Sequence, residues 1–582
     1  LSEEGQIQNL IVMVRIYTEA GEFSLPGDFS IEIEINNPML SSDGSASIPF
    51  TVPATPGNLV AAGRPDLLSR MYSFRNGVEC IVQYGAFQIQ GNLMISSCTA
   101  DEIGGVISFC QSKAYSSDKD RSLKNILAEM TYNFGQTNLE TCVGLINDSM
   151  ATKETQQWFD RHELVALPVR CKIAEGIDIV LNELEDTSDE YGESFGSLVY
   201  KARSYKSGDL TLNVPDGYGV AVFPYLCYIV RAILSALGYK VTHNDFDSKP
   251  YEDLVLLHPC ADLICHGGNV YLRDFVPDIT FGEFLTWLED KFGAYVNVDG
   301  DTAGVYIMDE VLDEGPAVDV TGYIQEDEAF EIPDAAAVRL SADTSIDGAA
   351  PVAATYTELM NKFRKYTKVN TDTGIGKTDG LYYAEVTGDF WQVTNGTRAR
   401  LGTDAFTVSG RYYSESEKEK KPSDKALRHD YHYHYKPSPV IPFIGDAVHY
   451  HTAIKGQEEK QEHPLMVCWA YFNKYWMGTA TGWTGLADRY PSLSPHGLFA
   501  KFWRKYNTLL LNGAPEVSVT LNLPVKVLQD LNVCRPVLYR GVRALVKSLK
   551  YSISDHGIAF GEAKLWILPE IENPTDCQPI TM

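Results

Sequence analysis

The chain has 582 residues, too many for one apolar core and enough for roughly three to five domains. Lys and Arg number 49 against 77 Asp and Glu, a formal charge of −28, so the average field repels a polyanion and nucleic acid is excluded as the main partner. No apolar run reaches transmembrane length, and the first residues lack the basic region, apolar stretch and cleavage site of a leader, so folding in the cytosol is expected.

In chain order, the first hundred residues read as strands and turns. Met13, ahead of the strand-like Val14 to Tyr17, is a candidate natural start. Ile31, Ile33 and Ile35 alternate with Glu32 and Glu34, the period-two pattern of a sheet with one wet face. Ile48, Phe50 and Val52 alternate again, and Pro49, Pro53 and Pro56 put this strand at an edge. Further strands are expected at Cys80–Ile89 and Leu93–Ser97, a helix at Ser122–Tyr132 and a strand at Leu164–Cys171. The acidic run Glu183 to Glu193 has no periodicity and reads as an exposed loop, lacking the spaced oxygen ligands and glycine of a calcium loop.

Two helices stand out in the middle. Pro224 suits the first turn of one that carries Leu226, Ile229, Val230, Ile233, Leu234 and Leu237 on one stripe, with Gly238 closing it. The second opens on Thr280 and Glu283, a capping box, buries Phe281, Phe284, Leu285, Leu288 and Phe292, and stops at Gly293. Tyr295 to Val298, the Asp299-Gly300 turn and Val305 to Ile307 then make a hairpin. Strands resume near Val318, and the charged run Ser414 to Asp424 reads as a loop. Phe499, Phe502, Trp503 and Tyr506 share a helical stripe. Val517 to Leu523 alternate, and strands at Leu545–Ile553 and from Ile558 flank the turn Asp555-His556-Gly557.

Little of this carries chemistry. There is no phosphate loop, dinucleotide fingerprint or nucleophile elbow. The 11 cysteines are odd in number, widely spaced and without a CxxC pair, which points to free thiols. His258, Cys260, Cys265 and His266 are crowded into nine residues at spacings atypical of zinc, so buried cysteines in a small strand-turn element are expected. His432 with His434, and His449 with His451, are the weak metal candidates, because alternate residues of a strand share a face about 7 Å apart. Tyr431, Tyr433 and Tyr435 interleave with the first pair, the look of an exposed strand face. Tyr471, Phe472, Tyr475, Trp476 and Trp483 make an aromatic concentration of the kind that stacks on sugars or fills an interface. A hydrolase or a glycan-binding tail protein using His429 to His463 and Trp469 to Trp483 is the alternative function. No cofactor and no catalytic residue is expected.

Three segments carry a resemblance. The first is Phe29 to Asn37-Pro38, Ser45 to Phe50, then Pro53, Thr55-Pro56, Asn58 and Gly63-Arg64-Pro65. The second is the helix Tyr225–Leu237 with Gly238-Tyr239, then Leu272 to Phe292 and the hairpin. The third is Trp503 and Tyr506, the strand to Leu523, Asp530-Leu531, Pro536 to Gly541 and Leu545 to Ile553. Together they resemble the tail hub, or tail-associated protein, of bacteriophages and prophages, of the type found in Bacteroides-like hosts. The resemblance implies a virion tail tip protein, assembled in the bacterial cytoplasm. It also implies a homotrimer that contacts distal tail, tape measure and tip proteins; a cell-surface glycan is a further candidate partner, offered by the aromatic concentration at Tyr471 to Trp483. It carries over no catalytic residue.

The expected fold class is α+β, mainly β, with β-barrel or sandwich-like tube domains flanking a small α/β module. The expected segments are an N-terminal β domain at 1–115 and a second β-rich domain at 116–215. The module follows at 216–315, a β-rich domain with charged and His/aromatic loops at 316–490, and a helix with strands that would complete a barrel at 491–582.

Overall fold

The computed structural model describes residues 13–41, 45–70, 77–109, 118–133, 221–258, 269–334 and 499–568 as continuous stretches. Shorter pieces are described between 163 and 214, at 260–261, 336 and 338, and between 366 and 469. Within these residues the protein is mainly β-sheet with some helices.

The N-terminal stretch forms β1 (Val14–Thr18), β2 (Gly21–Glu22), β3 (Ser30–Asn36), β4 (Ala46–Ser47), β5 (Phe50–Pro53), helix α1 (Pro56–Ala61), β6 (Val78–Tyr84), β7 (Phe87–Cys98) and β8 (Glu102–Phe109). Period-two alternation decides which side chains go inside: Ile31 and Ile33 are buried while Ser30 and Glu32 face water. β5 pairs with β8 off the main path, consistent with the edge position its prolines impose.

The middle of the chain supplies α2 (Leu226–Ala236), β9 (Lys240–Asn244), α3 (Phe281–Phe292), β10 (Ala294–Asp299), β11 (Thr302–Ile307) and the short α4 (Met308–Val311). β9 runs parallel to β11, and β10 antiparallel to it. In α3 the Thr280 hydroxyl accepts from Glu283 N at 3.2 Å, while Glu283 Oε2 accepts from Thr280 N at 2.7 Å, so the capping box satisfies two N–H groups reciprocally. Gly293 ends the helix in the left-handed region, φ 57°, where a Cβ would sit 3.3 Å from the Trp503 ring. Pro224 lies outside α2. Phe223–Pro224 pairs with Leu164–Val165, and Tyr225 caps the helix. The helix expected over Ser122–Tyr132 shrinks to Leu123–Ile126, because Thr131–Asn133 is drawn into pairing with Asn269–Tyr271.

The C-terminal stretch begins, after β12 (Ile324–Glu331), with a π-type turn at Phe499–Trp503. It continues as α5 (Arg504–Leu511), β13 (Glu516–Leu521), β14 (Val542–Ser554) and β15 (Gly557–Ile567). β3 and β14 pair antiparallel, Ile31 opposite Ile553 and Ile33 opposite Tyr551. Strands from the first and last expected segments therefore lie in one sheet of 14 strands, whose main path runs β2-β1-β6-β7-β8-β4-β3-β14-β15-β13-β12. Asn37 pins the joint from inside: fully buried, its Nδ2 donates to Val533 O (2.5 Å) and Val546 O (3.0 Å).

The sheet curls so that β1 and β7 approach β14 and the turn that follows it. Val14 N donates to Asp555 Oδ1 at 2.9 Å, and Phe87 meets Tyr551 edge to face at 6.5 Å. The closed barrel expected from the sequence is nonetheless absent among the described residues. β2 is two residues long, too short to extend a ladder, and β12 carries an irregularity between Ile324 and Glu328 that spoils its register.

Two apolar cores result. One lies under the sheet; the other joins α2, α3 and the hairpin. The β10–β11 hairpin serves both, with Val296, Val298, Ala303 and Val305 in the module's core and Tyr295 and Tyr306 in that of the sheet. None of the described helices is long and apolar enough to cross a membrane.

Candidate functional site: the junction between module and sheet

The densest polar arrangement lies where β11 turns into α4. Four residues of this corner, Tyr306, Ile307, Asp309 and Glu310, are each tied to a different part of the chain. Tyr306 OH accepts from Asn532 Nδ2 at 2.8 Å, and Ile307 N donates to Asp245 Oδ2 at 2.6 Å. The carboxylate of Asp309 accepts from Lys505 N (3.0 Å) and Tyr506 N (2.9 Å), the free N–H groups at the start of α5. Glu310 Oε1 accepts from Tyr251 OH at 2.5 Å. Arg543 Nη1 adds bonds to the carbonyls of Leu312 (2.7 Å) and Glu314 (2.9 Å), and Trp503 Nε1 donates to Lys291 O at 3.1 Å. Each donor finds an acceptor, which makes a buried polar network stiff instead of costly.

Electrostatics follow from burial. Asp309 is 2% exposed, and desolvation pushes its carboxyl up to about 6 against the opposing pull of the Tyr506 and Lys505 N–H groups. His243 Nε2 lies 2.7 Å from Asp245 Oδ1, and that hydrogen bond raises the imidazole above its ordinary value. Its ring stacks on Tyr306 at 4.7 Å. Burial likewise raises Asp247, which pairs with Arg231. Among the described residues, none of these groups lines the cleft bounded by Tyr17, Glu79 and Gly300. The arrangement can hold two bodies together.

Of the histidines singled out from the sequence, only His258 and His449 are described. His432, His434 and His451 lie outside the described residues, as do Tyr471 to Trp483. His449 falls in a two-residue strand, His449–Tyr450, parallel to Cys260–Ala261. Trp469 ends a strand, Met466–Trp469, that pairs with Leu254–Leu257. In the crowded His258 cluster, His258 is buried between the rings of Phe223 and Phe275. Its Nε2 is 2.7 Å from Val222 O, and its Nδ1 accepts from Cys260 N at 3.1 Å, so both ring nitrogens are engaged by backbone. Cys265 and His266 lie outside the described residues. Among those described, no group of three or more His, Cys, Asp or Glu converges as a metal site would require. Cys80, Cys98, Cys227, Cys260 and Cys534 form no disulfide, and burial pushes the Cys80 and Cys227 thiols up to about 12, which makes them poor nucleophiles.

Two other surface features are set by the sheet. A cleft of about 320 Å³ opens where Tyr17, Glu19, Glu79 and Gln90 face the hairpin turn at Gly300. At the β12 edge Phe330 is 65% and Ile332 63% exposed, and beyond α1 Leu68 is 81% exposed.

No family model matches the chain, and no curated protein matches it by sequence. Solved structures give a weak likeness. The 43 kDa tail protein of prophage MuSo2 from Shewanella oneidensis is 9% identical over 95% of this chain and 98% of its own, with a TM-score of 0.33. Prophage tail protein gp18 from Listeria monocytogenes EGD-e is 9% identical over 95% and 94%, with a TM-score of 0.29. The tail protein from Neisseria meningitidis MC58 is 7% identical over 95% of each chain, with a TM-score of 0.26. Scores this low leave the function to be read from the chain itself.

Proposed function

We infer that the chain is a structural component of a phage or prophage tail, a hub-like adaptor that joins tail tube to tip as a homotrimer. One observation carries the reading. Three segments that resemble a tail hub are far apart in sequence, yet they come together: the first and third pair side by side through β3 and β14, and the second packs on them through the β10–β11 hairpin.

The physical chemistry is compatible. A load-bearing adaptor benefits from a fully bonded joint between its parts, which the Asp309 corner supplies. A ring of identical subunits needs apolar surface at heterologous contacts, and exposed Phe330, Ile332 and Leu68 are of that kind. Its partners would be further copies of itself and neighbouring tail proteins, the acidic surface favouring basic ones. No reaction is assigned to it. The test is to interrupt the gene in a strain that releases particles and examine them by negative-stain electron microscopy. Absent or incomplete tails are expected; intact, infective tails would overturn the reading.

A further inference from the structure

We propose that the chain joins copies of itself head to tail: apolar side chains at the β12 edge of one copy dock on those just beyond α1 of the next. The inference rests on the reading of the chain as a self-assembling tail protein. Half of the large apolar side chains exposed among the described residues fall in two short stretches. Val60, Leu67 and Leu68 make one, and Phe330 and Ile332 the other. Clusters of this kind differ from the single apolar side chains that any protein surface carries.

The fold holds each stretch in place. Phe330 lies opposite Val517 in the β12–β13 ladder, so the two side chains share a face of the sheet. Val517 is buried on that face and Phe330 is not, because the core runs out between them; Ile332 follows just past the end of the strand. Among the described residues β12 pairs on one side only, with β13. At the other stretch Arg64, with φ 67°, turns the chain after α1, its N–H donating to Leu59 O at 2.7 Å. Leu67 N then donates to Arg64 O (3.1 Å) and Arg70 N to Leu67 O (2.9 Å), and these successive turns present Leu67 and Leu68 to solvent. α1 itself is tied to the start of the sheet, where the Thr18 hydroxyl donates to Ala61 O at 2.7 Å. β2, which pairs with Thr18, and β12 terminate the main path, so the two patches belong to opposite ends of the sheet.

Charge selects the partner. A patch docked on its own counterpart would set like against like, since residues 324–334 hold five Asp or Glu and no Lys or Arg, with Glu331 and Asp334 exposed. Residues 60–70 reverse the balance: Arg64 and Arg70 stand against Asp66 alone, which pairs with Arg64, in a chain whose formal charge is −28. Apolar side chains at the centre with an acidic rim on one side and a basic rim on the other fit the two different patches to each other. Contact between different patches is heterologous, so a pair of chains still offers one patch at each end until a ring closes.

Two pairs of solvent-facing substitutions test this by light scattering coupled to chromatography. Phe330→Asp with Ile332→Asp spoils one patch, and Leu67→Asp with Leu68→Asp spoils the other. Each variant alone should elute at single-chain mass with unaltered circular dichroism. Mixed in equal amounts, the two variants retain one matching pair of sound patches and should form a two-chain species and nothing larger. Glu331→Lys with Asp334→Lys keeps both apolar patches and should weaken assembly about tenfold. If the unaltered protein assembles, three results would overturn the docking and leave the tail reading standing: only single chains in the mixture, full-size assembly by either aspartate variant alone, or assembly unweakened by the two lysines. A single-chain mass for the unaltered protein would overturn the trimer as well.

Discussion

Replacing Ile31 by alanine takes about three methylene equivalents out of a fully buried position, worth roughly 2.4 kcal/mol at about 0.8 kcal/mol per buried CH₂. Incomplete collapse around the void adds about another 1 kcal/mol, for a total near 3 kcal/mol. Ile553, equally buried, lies directly opposite on β14 and should cost about the same. The informative quantity is the pair. Side chains opposite each other on antiparallel strands have Cβ atoms about 5 Å apart, so the two deletions empty one shared space. The double variant should then cost less than the sum of the singles, by at least ~0.5 kcal/mol. Urea unfolding followed by tryptophan fluorescence gives all three values, with tabulated slopes checking that the transition stays cooperative. Additivity within about 0.3 kcal/mol would mean the two ends of the chain do not share a sheet, and the fold account would fail.

Other outcomes follow from the same contacts. Asn37→Ala should cost about 2 kcal/mol or more in chemical unfolding, because Val533 O and Val546 O lose a buried donor. Thr280→Ala should cost about 1 kcal/mol by opening the capping box of α3, and Thr280→Ser much less. Phe330→Asp with Ile332→Asp should lower the assembled fraction seen by light scattering and leave the circular dichroism unchanged, since both side chains face water in one chain. The unaltered protein should elute at three times its chain mass at micromolar concentration; a strictly single-chain mass would count against the trimer.

Local chemistry was readable and distant pairing was not. Thr280 with Glu283, the stop at Gly293 and the Asp299-Gly300 turn all act within a few residues, so the sequence pattern names them and the structure places them as expected. The alternation of Ile31, Ile33 and Ile35 announces a strand and its buried face, yet nothing in a period of two tells that the neighbour is Tyr551 and Ile553. Pro224 suggested a helix start because its fixed φ suits that position; its pairing with Leu164–Val165 outweighed the preference and moved the helix to Leu226. The Asp309 corner went unnoticed for the same reason as the sheet. An aspartate after an apolar strand looks like an ordinary helix-start residue, and its partners Lys505 and Tyr506 lie nearly two hundred residues further on.

The structural role itself is tested most directly by locating the protein on assembled particles. Gold-labelled antibody against the chain, applied to particles released by a strain that carries the gene and viewed by electron microscopy, should mark a single position at the distal end of the tail tube. Particles that carry tails and bind no label, or label confined to the head, would contradict the account.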